Sequence, residues 1–381
     1  MASSKRVVIT GAGLICPLGN STESMWEAMM SGRSGVEPLR SVPSENLPTS
    51  FGGEARHFSG DIDDFGPLDN KLKRKIKKGK NVMCREIEMG VAAAQLALND
   101  AALVPGSYDP DRTGTMYGSD YIMTLPEEFT EAVRKCLDDD GNFDFTRWGE
   151  QGLPEVAPLW LLKYLPNMPA SHIAIYNDFR GPSNSVTVRE TSAILAIGEA
   201  YHTIQRDWAD VMVAGATGTR IHPLRTVHVI LQEELAFDGE PAEASRPFDQ
   251  NRTGMVMGEG AGAIMLEDLE FAQARGAKIL GEVVGHGSAT AVGPQSVAMN
   301  DIALKNAMQN ALRTACMAPE EIGHVNAHGL STHKSDAEEA TAINEVFGDS
   351  RITVGHRQLC YHGLGHGFML FTDYDLPTAL K

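Results

Sequence analysis

The stretch at residues 181–216, GPSNSVTVRETSAILAIGEAYHTIQRDWADVMVAGA, constrains this chain more than any other. A turn signal at Gly181, Pro182 and Ser183 leads into a β-branched run that stops at Arg189, Glu190, Thr191 and Ser192. A helical pattern follows, with Ile194, Ile197, Tyr201 and Ile204 on one face, and residues 210–215 read as a buried strand. A strand, a sharp turn and a helix that opens on polar residues form a device for aiming one side chain, with backbone donors, into a pocket. Glu190 is that side chain.

What surrounds this device is a soluble globular chain. Its 381 residues suffice for a large buried core, as one big domain or two fused halves. A net charge of -17 argues against nucleic acid as the main partner. Against that acidic background, residues 71–80 read KLKRKIKKGK, with seven basic positions in ten. Such a run is either a solvated face or a docking surface for an acidic partner. The five cysteines, Cys16, Cys84, Cys136, Cys316 and Cys360, are scattered and lack a C-x-x-C spacing. They predict a cytoplasmic protein with no disulfide framework and no structural metal. Lys5 and Arg6 followed by a strand, in place of a charged region and an apolar run, predict no signal peptide, and no stretch has the roughly 18 uninterrupted apolar residues of a membrane span.

Taken in order, residues 6–10 are a short β-branched run that ends in Gly11, Ala12 and Gly13. A strand followed by GAG suggests a dinucleotide fold, but Cys16 occupies the place of the third glycine of G-x-G-x-x-G. Residues 38–67 are loop-like, 86–103 an alanine-rich helix, 112–118 a strand and 119–169 an irregular insertion. Residues 246–279, RPFDQNRTGMVMGEGAGAIMLEDLEFAQARGAKI, give a polar loop, a buried strand at 261–267 and a helix. A restart follows, with a strand at 280–287, a helix at 298–315 and a strand at 322–327 that ends in Asn326, Ala327, His328 and Gly329.

Four of these segments together resemble the β-ketoacyl-acyl-carrier-protein synthases, the condensing enzymes of fatty-acid and polyketide synthesis. The opening RVVITGAGLICPLGN, the GPS strand leading to ADVMVAGA, the PFD, Arg and GEGAG spacing, and VNAHGLSTHKSDAEEA all have counterparts there. The resemblance implies a thiolase-like, layered α-β-α-β-α fold of two related halves, 1–268 and 269–381, with the second half shortened. It places the family's nucleophilic cysteine at Glu190, its first histidine at His328 with the acidic supports Asp336 and Glu339, its lysine at Arg357 and its second histidine at His362. The family implies no cofactor, an acyl carrier protein or acyl-CoA thioester as partner, and a homodimer or a ketosynthase heterodimer. It also implies that the insertion shapes the dimer interface and the acyl pocket.

The exchange at Glu190 changes the chemistry expected. A thiolate at a helix N-terminus is a strong nucleophile. A carboxylate there is stabilised by the same dipole, and its acyl anhydride would hydrolyse readily. Ordinary condensation through Glu190 is therefore not expected, and four readings stay open. The chain decarboxylates malonyl thioesters, with Glu190 protonated or paired with Arg189; it is a non-catalytic partner subunit of an active ketosynthase; Glu190 is a base or an orienting group in altered acyl chemistry; or Glu190 only caps its helix. Cys360, two residues before His362, is the candidate for a relocated nucleophile.

Overall fold

A computed structural model describes residues 5–45, 47–348 and 353–355. In chain order the elements are β1 (Val7–Ile15), α1 (Thr22–Met30), β2 (Glu37–Pro38), β3 (Phe51–Gly52), α2 (Asn70–Gly79), α3 (Arg85–Asp100), β4 (Thr113–Ser119), α4 (Thr130–Lys135) and α5 (Met168–Asn177). They continue with β5 (Ser183–Thr187), α6 (Ser192–Gln205), β6 (Val211–Thr219), α7 (Pro223–Gln232), β7 (Glu259–Asp268), α8 (Leu269–Ala274), β8 (Gly281–Val283), α9 (Asn300–Ala315), β9 (His324–Asn326), α10 (His333–Phe347) and β10 (Thr353–Gly355).

Six strands form one mixed sheet in the order β5-β4-β6-β7-β1-β8. β4 runs parallel to β5 and β6, whereas β7 is antiparallel to both β6 and β1. Strand residues alternate between two cores, as a sheet covered on both faces requires. On β6, Val211 and Val213 join the core that includes Ile87, Val91 and Ala94 of α3. Met212 and Ala214 join the opposite core with Ala196, Ala200, Tyr201 and Ile204 of α6. Beyond the sheet, β9 and β10 pair in parallel and α9 packs on α10.

The GAG of the opening strand lies within β1 and serves packing. A Cβ on Gly13 would stand 2.2 Å from the Ala93 carbonyl oxygen, and one on Gly11 2.5 Å from the Ala101 nitrogen. These glycines let α3 lie directly on the sheet, and no phosphate cradle is involved.

Two expectations need correcting. The buried face of α6 is lined by Ala193, Ala196 and Ala200 with Tyr201 and Ile204, while Ile194 and Ile197 are only half-buried. Small residues face the sheet because helix and strand approach closely there. The strand expected at 280–287 is confined to Gly281–Val283 and adds to the first sheet beside β1, with Val7 opposite Val283. The insertion is irregular as expected, a series of single turns around α4 tied by an aromatic cluster in which Phe129 meets Trp160 edge-on at 4.9 Å. No helix among the described residues is long and apolar enough to cross a membrane.

Candidate active site around Glu190 and His328

Between β5 and α6 the backbone reverses through a single turn at Arg189–Thr191. Arg189 sits in the left-handed region at φ 58°, a conformation that costs an arginine of order 1 kcal/mol and persists where the surroundings hold it. Ser192 is one such hold: its hydroxyl accepts from the Val188 amide at 2.9 Å and donates to the Ser119 carbonyl at 2.8 Å. The end of β4 is thereby fixed beside the start of α6.

Glu190 makes no cap. The N-cap position of α6 is Thr191, without a side-chain cap hydrogen bond. The Glu190 carboxylate instead forms an ion pair with Arg220, a residue 3% exposed just after β6. The Arg189 partnership expected from the sequence is secondary, since Arg189 stands 3.8 Å from Glu190 but donates to Glu233 at 2.7 Å. Left-handed backbone at Arg189 turns the neighbouring side chains apart, so adjacency in sequence does not give a close pair. Burial, with Arg189 and Arg225 nearby, pulls the Arg220 guanidinium down to about 10, so it remains a cation at neutral pH.

The second part of the site follows β9. Half-buried His328 and its neighbour Gly329 are held from beneath by Glu339 of α10, whose two oxygens accept the His328 amide at 2.6 Å and the Gly329 amide at 2.9 Å. Asp336 accepts from the Ser331 amide at 2.9 Å and from the Phe248 amide at 2.7 Å. Arg252 reaches across to donate to the carbonyls of Thr332 and His333 at 3.0 and 2.8 Å. The PFD and Arg spacing is thus a clasp around the His328 loop. The following Glu259 accepts a forked set of bonds from Arg85, at 2.7 to 3.1 Å. Burial dominates the Glu339 carboxyl and raises it above its ordinary range.

The two parts are joined through the end of α7. Glu233 holds Arg189, and the next residue, Glu234, accepts the His333 amide at 3.0 Å and meets the His333 ring. Glu190, His328, Asp336 and Glu339 are therefore placed by one connected scaffold. Arg357, Cys360 and His362 lie outside the described residues. Arg220, Arg225 and Glu233 were missed in the sequence. The one signal available was two arginines, TRIHPLR, in a segment bounded by buried positions.

With this geometry in hand, the comparisons with known proteins are specific. Residues 4–272 match the model of the beta-ketoacyl synthase N-terminal domain and residues 280–360 that of the C-terminal domain. The chain is 33% identical over 349 residues to 3-oxoacyl-[acyl-carrier-protein] synthase 2 of Synechocystis sp., covering 91% of this chain and 77% of that protein. The enzyme of the same name from Vibrio cholerae is 34% identical over 350 residues, with 91% and 78% covered. Among solved structures, a beta-ketoacyl synthase from Burkholderia phymatum superposes with a TM-score of 0.74 at 29% identity, covering 90% of this chain and 78% of that one. A chain of the ishigamide ketosynthase/chain length factor shares the fold, with a TM-score of 0.76 at 23% identity over 92% and 80% of the two chains. The fold is thiolase-like α/β. The chain belongs to the beta-ketoacyl synthase family and is a homologue of the enzymes of fatty-acid and polyketide-type synthesis.

Proposed function

We propose that this chain is a non-acylating member of its family, one that works on malonyl and related thioesters without forming an acyl-enzyme at Glu190. The observation that carries the reading is the Glu190–Arg220 ion pair. A carboxylate committed to a buried guanidinium is a poor nucleophile, and leaving the pair would strand the arginine. A lone Glu190 carboxylate would repel a malonyl carboxylate by several kcal/mol at low effective dielectric; the Glu190–Arg220 pair, which carries no net charge, offsets this.

In this reading the malonyl C–C bond breaks, carbon dioxide leaves, and the electron pair stays on the thioester as an enolate that takes a proton to become acetyl. Family resemblance gives His328 and His362 the role of donors to the developing enolate oxygen and Arg357 that of a nearby cation. Asp336 and Glu339 position His328 through the backbone. The two halves, 1–268 and 269–381, would supply Glu190 and the histidines respectively.

The proposed thioester carrier is an acyl carrier protein that docks on α2. Lys71, Arg74, Lys75, Lys77 and Lys78 are exposed there, while Ile76 anchors the helix to the core. Assembly as a homodimer or ketosynthase heterodimer is proposed through β5, the outer strand of the sheet. The scattered cysteines suit a reducing, cytoplasmic setting. A second reading, a non-catalytic partner subunit, is favoured by the chain Glu233–Arg189–Glu190–Arg220, which makes the nucleophile position a structural tie.

One experiment separates them. The purified protein is incubated with malonyl- and long-chain acyl-carrier protein, and carbon dioxide release and intact mass are followed. Release without an adduct is the expected result, and His328→Ala should abolish it. An adduct on Glu190 or Cys360 would overturn the non-acylating reading. No release, together with activity gained by an active ketosynthase on mixing, would establish the partner subunit.

A further inference from the structure

A group of buried charges coupled to Arg220, the partner of Glu190, centres on Arg225 of α7, which is 2% exposed. Its guanidinium lies 3.3 Å from Glu86, pairs with Asp120, donates to the Tyr121 carbonyl at 2.9 Å and sits 4.5 Å from the centre of the Tyr121 ring. Asp120 directly follows Ser119, the residue bonded to the first residue of α6. Charges of Asp120, Arg225 and Arg189 are all felt at Arg220. Arg220, the partner of Glu190, thus feels the buried group of Arg225 and Asp120, which includes Glu86, while Arg189 and Glu233 complete the set on the more exposed side.

Charge balance decides what such a cluster can accept. Burial pushes the Glu86 carboxyl up to about 7, so three cations face three carboxylates and a fourth that is only part-ionised at neutral pH. A cluster so matched makes no demand for an added anion. It is equally hostile to methylene groups, because seating them would strip partners from charges already removed from water. Alkyl-binding cavities are lined the opposite way, by apolar side chains with a few placed polar groups.

We propose that Arg225, with Asp120 and the Tyr121 ring, is a specificity-determining plug that closes the region beside Glu190 to an alkyl chain and limits this subunit to thioesters with short acyl groups. The inference extends the non-acylating reading and names the substrate class that goes with it.

The test is a chain-length series of butanoyl-, octanoyl- and dodecanoyl-pantetheine, titrated into the full-length protein by calorimetry, with intact mass recorded in parallel. An acyl chain buried on binding tightens affinity by about tenfold for each two methylenes. The wild type should show a flat profile. Arg225→Leu combined with Asp120→Ala should acquire a rising one. A rising profile in the wild type overturns the plug, as does a folded double variant whose profile stays flat. Should the double variant not fold, Tyr121→Ala, which leaves the Arg225 ion pairs in place, is expected to steepen the profile, and a flat one there counts against the plug. A covalent adduct would overturn the non-acylating reading instead, and appears in the mass spectrum independently of the binding profile.

Discussion

Glu190 and Arg220 are thirty residues apart in sequence and meet because β6 ends beside the turn that opens α6. Removing one partner leaves the other charge without compensation in a partly buried place, whereas removing both costs less. Arg220→Met is therefore expected to destabilise the protein by about 1–3 kcal/mol, below the usual range for a fully buried pair because Glu190 retains contact with water. Glu190→Gln with Arg220→Met should recover part of that loss, as measured by urea unfolding in a double-mutant cycle; simple additivity would refute the coupling. Glu86 adds a pH dependence of definite sign. Its carboxyl titrates near 7 in the folded protein and near 4.5 unfolded, so the folded state holds the extra proton between those values. Stability falls as pH rises through this window, by at most about 3 kcal/mol. In Glu86→Gln the decline between pH 5 and pH 8 should be visibly smaller in unfolding curves taken across that range. Of this cluster only Glu190 and Arg189 were legible in the sequence, through the motif around them. Arg220, Arg225 and Glu233 carry no local pattern, since their role arises from strand ends brought together by the sheet.

At the scale of elements, what the sequence conveyed best was local composition. The alanine-rich α3 and the strands β4, β6 and β7 lie where small-residue content and short apolar runs put them, the strands being buried on both faces, and the insertion, which has neither signal, is irregular. Less was legible where packing overrode pattern. On α6 the large Ile194 and Ile197 are displaced from the deepest face by alanines, since helix-to-sheet distance there admits only small side chains. Likewise, nothing local told that Gly281–Val283 would extend the first sheet; its partner Val7 stands 276 residues earlier, opposite Val283. The glycines of β1 show how a motif can mislead until contacts are known. Their role as seats for α3 predicts that Gly13→Val, which thrusts a side chain at the Ala93 carbonyl, destabilises the fold by about 1–3 kcal/mol through overpacking. Thermal unfolding would check this, and an unchanged midpoint would show that α3 can retreat from the sheet.

The whole molecule carries a net charge of -17, yet α2 carries six basic residues in ten and no acidic one. Asp69 caps that helix through the Lys71 and Leu72 amides at 2.7 and 2.8 Å, and buried Ile76 fixes its orientation. Some of its cations are engaged at home: Lys73 pairs with Asp63 at 2.8 Å and Lys75 donates to the Ile175 carbonyl, while Lys80, just past the helix, lies 3.6 Å from Glu88. Lys71, Arg74 and Lys78 recur on one side of the helix, exposed. An acidic carrier protein, the partner proposed above, meets net repulsion from the chain as a whole, whereas the exposed cations of α2 give a locally attractive field over a Debye length of about 10 Å at 0.1 M salt. Association should therefore be fast at low ionic strength and fall steeply with salt. Replacing Lys71, Arg74, Lys77 and Lys78 together by Glu should slow association by roughly 10- to 100-fold, with little change in the unfolding midpoint because all four are exposed. Stopped-flow measurements of wild type and variant with an acyl carrier protein, at about 0.05 M and about 0.3 M salt, would decide. If the variant associates as fast as the wild type, or if salt leaves the wild-type rate unchanged, the basic face is a solubilising surface and the carrier approaches elsewhere.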